Sequence, residues 1–161
     1  YAMTGWRIGY TIADAEWTKA MVKLQSHSAT HPTSFVQYAC AKALQDVEQT
    51  IDAVNSMTGE YERRKNWLIP QLNEVRGFEC EMPEGAFYAF VNVRELLSDG
   101  YANSADVAER LLRECHIVIT DGEGFGADGC LRISYATSME NLQRAIDAMK
   151  SLFGTKSAAA A

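Results

Sequence analysis

Apolar and polar positions follow two rhythms along this chain. In the first ten residues, Tyr1-Ala2-Met3-Thr4-Gly5-Trp6-Arg7-Ile8-Gly9-Tyr10, the period is two. Trp6, Ile8 and Tyr10 alternate with Arg7, Gly9 and Thr11, which predicts a strand from Gly5 to Ile12 with one bulky face and one nearly bare. The rhythm then lengthens. Asp14 is a suitable N-cap, with Glu16 in the following turn, for a helix from about Ala15 to Leu24. Its expected buried face is Trp17, Met21 and Leu24. The polar run Gln25 to His31 reads as a loop. Pro32 opens a second helix with Phe35, Tyr38, Ala39 and Ala43 as its inner stripe.

From Thr50 to Arg76, Ile51, Val54, Met57, Tyr61, Leu68, Leu72 and Val75 recur at spacings of three, four and seven. That is one face of a long helix, stopped by Gly77 and expected to kink or split at Pro70. Clean heptads are too few for a coiled coil. Phe78 to Cys80 predicts a short strand, Pro83-Glu84-Gly85 a turn, and Ala86 to Val91 an aromatic-rich strand. Ser104 is placed as the cap of a helix ending at Cys115, with Val107, Leu111 and Leu112 buried. Ile117 to Ile119 and Cys130 to Tyr135 read as further strands. Thr137 and Glu140 form a capping box for the last helix, which ends near Phe153 and Gly154. Residues 155–161 read as a flexible tail. No internal repeat is present.

Composition narrows the class. The chain has 161 residues, 47% hydrophobic and 22% charged, enough for a real core. A net charge of −6 argues against nucleic acid as a main partner. No apolar run approaches the roughly 20 residues of a membrane span, and no signal peptide opens the sequence. Cys40, Cys80, Cys115 and Cys130 are scattered, which suits reduced thiols in a cytoplasmic protein. Translation does not start at tyrosine, so a chain opening on Tyr1 is expected to be a fragment or a processed product.

Two arginines carry the candidate chemistry. Arg7 stands between Gly5 and Gly9 on the bare face of the expected first strand. Glycines in a strand mark close approach by a backbone or ligand. The residues alone leave Arg7 as either a surface charge or an anion site. Arg132 lies mid-strand, where a charge needs a partner. An ion pair with one of the chain's own carboxylates and a ligand carboxylate are both open. The loop Gly122-Glu123-Gly124-Phe125-Gly126 is glycine-rich but leads into a strand, whereas a dinucleotide loop leads into a helix. Cys115 and His116 are adjacent and do not face each other, so they make a poor nucleophile pair. His27 and His31 lack a third ligand for a metal.

The opening Tyr1-Ala2-Met3-Thr4-Gly5-Trp6-Arg7-Ile8-Gly9-Tyr10 and the late Leu131-Arg132-Ile133-Ser134-Tyr135-Ala136-Thr137-Ser138 both resemble class I aminotransferases of the aspartate aminotransferase type. The two motifs stand in family order and the resemblance runs from Tyr1 to about Phe153. It implies an α/β fold: the C-terminal portion of the fold of transferases dependent on pyridoxal 5'-phosphate, a small sheet packed with helices plus a long interdomain helix. Residues 1–44 would be the end of the large cofactor domain and 45–154 the small domain. The resemblance gives Arg7 the cofactor phosphate and Arg132 the substrate α-carboxylate. It places the Schiff-base lysine two residues ahead of Tyr1, so this chain alone is expected to be inactive. The implied activity moves an amino group between an amino acid, aspartate first among them, and a 2-oxoacid, in a cytoplasmic homodimer. Departures from the pattern are His31 before Pro32, and Asp121 and Glu123 where proline and serine are usual. The rival reading is a non-catalytic dimerising or ligand-binding module without the cofactor domain.

Overall fold

A computed structural model describes residues 1–156. The chain divides into two units, Tyr1–Thr58 and the stretch from Gly59 onward. In the first unit, α1 spans Ala15–Ser28 and α2 Ser34–Gln45. The long α3, Val47–Asn73, crosses the division. In the second unit follow β1 (Tyr88–Asn92), α4 (Arg94–Ser98), α5 (Ser104–Cys115), β2 (Thr120–Asp121), β3 (Cys130–Ser134) and α6 (Met139–Phe153). Helices and a small sheet make this an α/β fold. No helix among the described residues is long and apolar enough to cross a membrane.

The first unit corrects several expectations. No strand forms between Gly5 and Ile12; Thr4–Trp6 is instead a short 3-10 turn closed by Arg7 N–H donating to the Thr4 carbonyl at 3.3 Å. A strand is a paired state, and among the described residues nothing offers these amides a ladder. Helix α1 runs on through Ser28, where a loop was expected from Gln25. Nothing between Gln25 and Ser28 breaks a helix, and the Ser26 and Ser28 hydroxyls donate to the Lys23 and Gln25 carbonyls one turn back. The apolar stripe of α1 is real but uncovered: Trp17, Met21 and Leu24 are all exposed. In α2 the buried residue is Val36, while Phe35 and Tyr38 face outward.

The second unit holds the core. Leu68, Ile69 and Leu72 from the end of α3 meet Val91 of β1, Leu131 and Ile133 of β3, and the inner faces of α5 and α6. Pro70 does not split α3; it removes one hydrogen bond close to the helix end, where few remain to be lost. Gly77 lies in the left-handed region at φ 80°, and a Cβ there would meet Leu96 at 2.4 Å. The expected strand at Phe78 to Cys80 is reduced to one bridge, Glu79 to Asn92, and that at Ile117 to Ile119 is absent, with Val118 exposed. Leu112 is exposed as well. The capping residues also shift by one. Asn103, not Ser104, caps α5 by accepting the Asp106 N–H, and Ser138, not Thr137, caps α6 by accepting the Asn141 N–H. Thr155 bridges Val75 and Lys156 N–H donates to Glu74, so the first two residues of the expected tail are tied down. Residues 157–161 lie outside the described residues.

The sheet is antiparallel in the order β1-β3-β2. Its register sets Phe90 opposite Arg132, and Arg132 opposite Thr120. Ala89, Val91, Leu131 and Ile133 point into the core. By the period-two rule, Tyr88, Phe90, Arg132 and Thr120 share the other face.

Candidate functional site

Arg132 occupies the centre of that second face. Its guanidinium carbon lies 4.6 Å from the centroid of the Tyr88 ring and 4.4 Å from that of Phe125. Phe125 in turn meets Phe90 edge to face at 6.3 Å. The sole hydrogen bond of the side chain among the described residues is a long one, Nη2 donating to Thr120 Oγ1 at 3.4 Å. Its Nε is buried and without a partner. No carboxylate pairs with Arg132 among the described residues. The internal ion pair left open by the sequence is therefore not made. A buried N–H donor left unsatisfied, as at Nε, is costly unless something accepts from it. Its planar fork matches a carboxylate.

The loop carrying Phe125 is built to hold its place. Gly122 N–H donates to the Cys130 carbonyl at 2.8 Å, and the Gly122 carbonyl accepts from both Phe125 and Ala127 at 3.0 Å. A Cβ on Gly122 would meet the Ala127 oxygen at 2.2 Å, so only glycine fits that turn. Downstream, one oxygen of Asp128 accepts from the Ser104 amide, the Ser104 hydroxyl and the Gly129 amide, at 3.3, 3.0 and 2.7 Å. These bonds, from Ser104 first and then Gly129, hold the Asp128 carboxyl below its ordinary pKa. They tie the end of the loop to the start of α5. Asp121 contributes by accepting the Glu123 N–H at 3.0 Å.

Arg7 sits in the first unit, exposed, with a left-handed φ of 52°. Nη1 donates to the Thr4 carbonyl at 3.2 Å, the one hydrogen bond of the side chain among the described residues. A Cβ on Gly5 or Gly9 would meet nothing within 4 Å, so the space about Arg7 is open. The same unit has a groove of about 520 Å³ bounded by Met3, Ile8, Tyr10, Pro32, Cys40 and Leu44. Neither arginine lines it. Cys115 and His116 form no dyad: the thiol contacts the Ala148 carbonyl, and burial pushes its pKa up, away from a reactive thiolate.

The comparisons with known proteins agree with one another. The family described as aminotransferase class I and II matches residues 1–149. The chain belongs to that family. It is 42% identical over 159 residues to aromatic-amino-acid aminotransferase 2 of Thermococcus litoralis, covering 97% of this chain and 39% of that protein. Against the aspartate aminotransferase of Pyrococcus abyssi the identity is 40%, with the same shares. The crystal structure of the aromatic aminotransferase from Pyrococcus horikoshii superposes with a TM-score of 0.86 at 40% identity, over 94% of this chain and 39% of that one. Aspartate aminotransferase from Thermus thermophilus, solved with maleate, gives 0.85 at 36% identity, over 94% and 38%. The chain thus spans about two fifths of the length of the aminotransferases it matches.

Sequence reasoning missed the aromatic surroundings of Arg132 in this aminotransferase chain. The stretch Ala86 to Val91 read only as an aromatic-rich strand, whereas Tyr88 stands on the outer face beside Arg132. The alternation Tyr88, Ala89, Phe90, Val91 carried the signal: two rings on one side, two small aliphatic side chains on the other. Phe125 carried none, because its position depends on a turn fixed by backbone hydrogen bonds.

Proposed function

We propose that the whole protein is a pyridoxal-phosphate-dependent aminotransferase that moves an amino group between an amino acid and a 2-oxoacid. Aspartate is the first candidate substrate, and the likeness to an aromatic-amino-acid aminotransferase also supports aromatic amino acids. The observation that carries the reading is Arg132: a charged fork that pairs with no carboxylate among the described residues, its Nε buried and unsatisfied. In this reading Arg132 accepts the α-carboxylate shared by every amino acid substrate and so fixes how the substrate's Cα is presented.

The residues fit the cofactor too. The N–H groups of Arg7 that have no partner among the described residues, and the space beside Gly5 and Gly9, suit a phosphate, which Arg7 would hold. Bound there, pyridoxal phosphate supplies the electron sink that eases loss of the Cα proton. Neither arginine carries that proton. The family pattern assigns it to a lysine two residues ahead of Tyr1, so the 161-residue chain by itself does not transaminate. In this reading residues 1–44 end the cofactor domain and 45–154 form the small domain of a cytoplasmic homodimer. Four free cysteines suit a reducing compartment.

The test is Arg132→Lys in the whole protein. An ammonium cannot make the two-pronged contact. Loss of one partner of such a pair costs about 2–5 kcal/mol, or roughly thirty- to several-thousand-fold in kcat/KM. The loss falls alike on all amino acid substrates. Near-native activity, or a loss confined to dicarboxylic substrates, refutes the assignment. Arg7→Ala is expected instead to weaken cofactor retention, measured by dialysis and absorbance. For the 161-residue chain alone, borohydride reduction after mixing with pyridoxal phosphate should label no lysine stoichiometrically.

A further inference from the structure

The second unit offers an unusual way of holding an arginine. Hydrogen bonds usually orient a functional guanidinium, and each one uses a donor that a ligand could otherwise take. Here two rings lie against the group, their centroids 4.6 Å (Tyr88) and 4.4 Å (Phe125) from its central carbon, and among the described residues its one side-chain hydrogen bond is the long contact to Thr120. We propose that Phe125 and Tyr88 are positioning residues for Arg132: a two-sided aromatic clamp that fixes the plane of the fork while leaving its N–H groups for the substrate carboxylate. This rests on the reading of Arg132 given above.

Three features support the clamp. Both ring centroids lie within 5 Å of the guanidinium carbon, and a ring stacked on a guanidinium face leaves the in-plane donors to a carboxylate. Nε is shielded from water, which raises the gain when an anion arrives. Finally, the two rings come from different elements, and the one from the loop is doubly secured. Phe125 donates its N–H to the carbonyl of Gly122, a glycine that admits no Cβ, and its loop ends on the Asp128 bonds to Ser104 and Gly129. The Phe90 edge contact sets the tilt of the Phe125 ring. Phe125 is itself half exposed at 51%, so its ring contributes little core burial that would otherwise account for it.

The experiment uses the whole protein with its cofactor. Phe125→Leu keeps apolar bulk and removes the ring; Phe125→Trp restores a ring. Loss of a partly buried cation–π contact corresponds to about a tenfold change. Phe125→Leu is expected to raise KM about tenfold for aspartate and phenylalanine alike, with kcat within twofold. The Kd of a non-reacting carboxylate, 3-phenylpropionate, rises by the same factor, and Phe125→Trp recovers both values. In the Arg132→Lys background, with half-reactions followed by cofactor absorbance, Phe125→Leu adds no further loss. Tyr88→Leu behaves as Phe125→Leu does. The clamp is overturned if Phe125→Leu leaves KM and Kd unchanged, or if its effect is undiminished in the Arg132→Lys background. A loss confined to one side-chain class also overturns it, since Phe125 would then contact the substrate side chain. A failure of Arg132→Lys itself to lose activity refutes the carboxylate assignment separately.

Discussion

At the scale of single residues, the contrast between Arg132 and Asp128 shows how one unit separates binding from support. Arg132 is under-bonded, whereas Asp128 accepts three hydrogen bonds through one oxygen. Its folded pKa is depressed, so its contribution to stability is fully present above the unfolded value of about 4 and fades as pH falls through the lower folded value. Asp128→Ala is therefore expected to lower Tm at pH 7, and the gap to the parent closes on acidification. A set of melting curves from pH 7 to pH 3 checks this; a gap independent of pH would remove the carboxylate from the account. Cys80 shows the opposite sign. Burial pushes its thiol up to about 11, so the folded state favours the protonated form. Stability from this source is present below the ordinary thiol value of about 8.5 and is lost as pH rises through the folded one. At pH 8 in native conditions Cys80 should resist alkylation and react only on unfolding, which mass mapping after iodoacetamide treatment would read.

Elements were legible where the local pattern and its packing partner lie in the same unit. Helix α5 matched its expected bounds, Ser104–Cys115, because Val107 and Leu111 find a core to enter. Strand β3 stood out for the same reason: Leu131 and Ile133 bury on one side and leave Arg132 on the other. The opening segment carried an equally clear two-residue rhythm and made no strand, since rhythm specifies a face and pairing must come from elsewhere. Fine placement failed at caps, where neighbouring Asn103 and Ser104, or Thr137 and Ser138, are chemically equivalent in sequence. Geometry decided between them, and the choice can be measured. Asn103→Ala should destabilise by about 1 kcal/mol, seen in urea unfolding. Ser104→Ala acts differently: Ser104 is fully buried, and its hydroxyl serves Asp128 rather than the α5 amides. Its removal should erase part of the pH dependence assigned to Asp128, an effect Asn103→Ala leaves intact.

For the molecule as a whole, what matters is how unevenly apolar surface is covered. Among the described residues the buried apolar side chains run from Leu68 onward, with Val36 the exception. Exposed large apolar residues concentrate in residues 1–58, among them Tyr10, Ile12, Trp17, Leu24, Phe35 and Tyr38. Ile12 is 91% exposed and Tyr38 79%. Scattered exposed apolar residues are ordinary on a protein surface; a concentration of them marks a surface made to be covered. Each such side chain gains about 1.5–3 kcal/mol on full burial, so several acting together drive association unless another segment covers them first. The 161-residue chain alone is therefore expected to self-associate as its concentration rises, through residues 1–58. Light scattering over a dilution series should show mass increasing with concentration. Adding charge to the uncovered stripe of α1, with Trp17→Glu and Leu24→Lys together, should shift that rise to higher concentration. The paired changes leave the core from Leu68 onward untouched, so near-ultraviolet circular dichroism of the second unit's aromatics serves as the folding control. A chain that stays monomeric throughout, with that control intact, would show that this apolar surface is satisfied within residues 1–58.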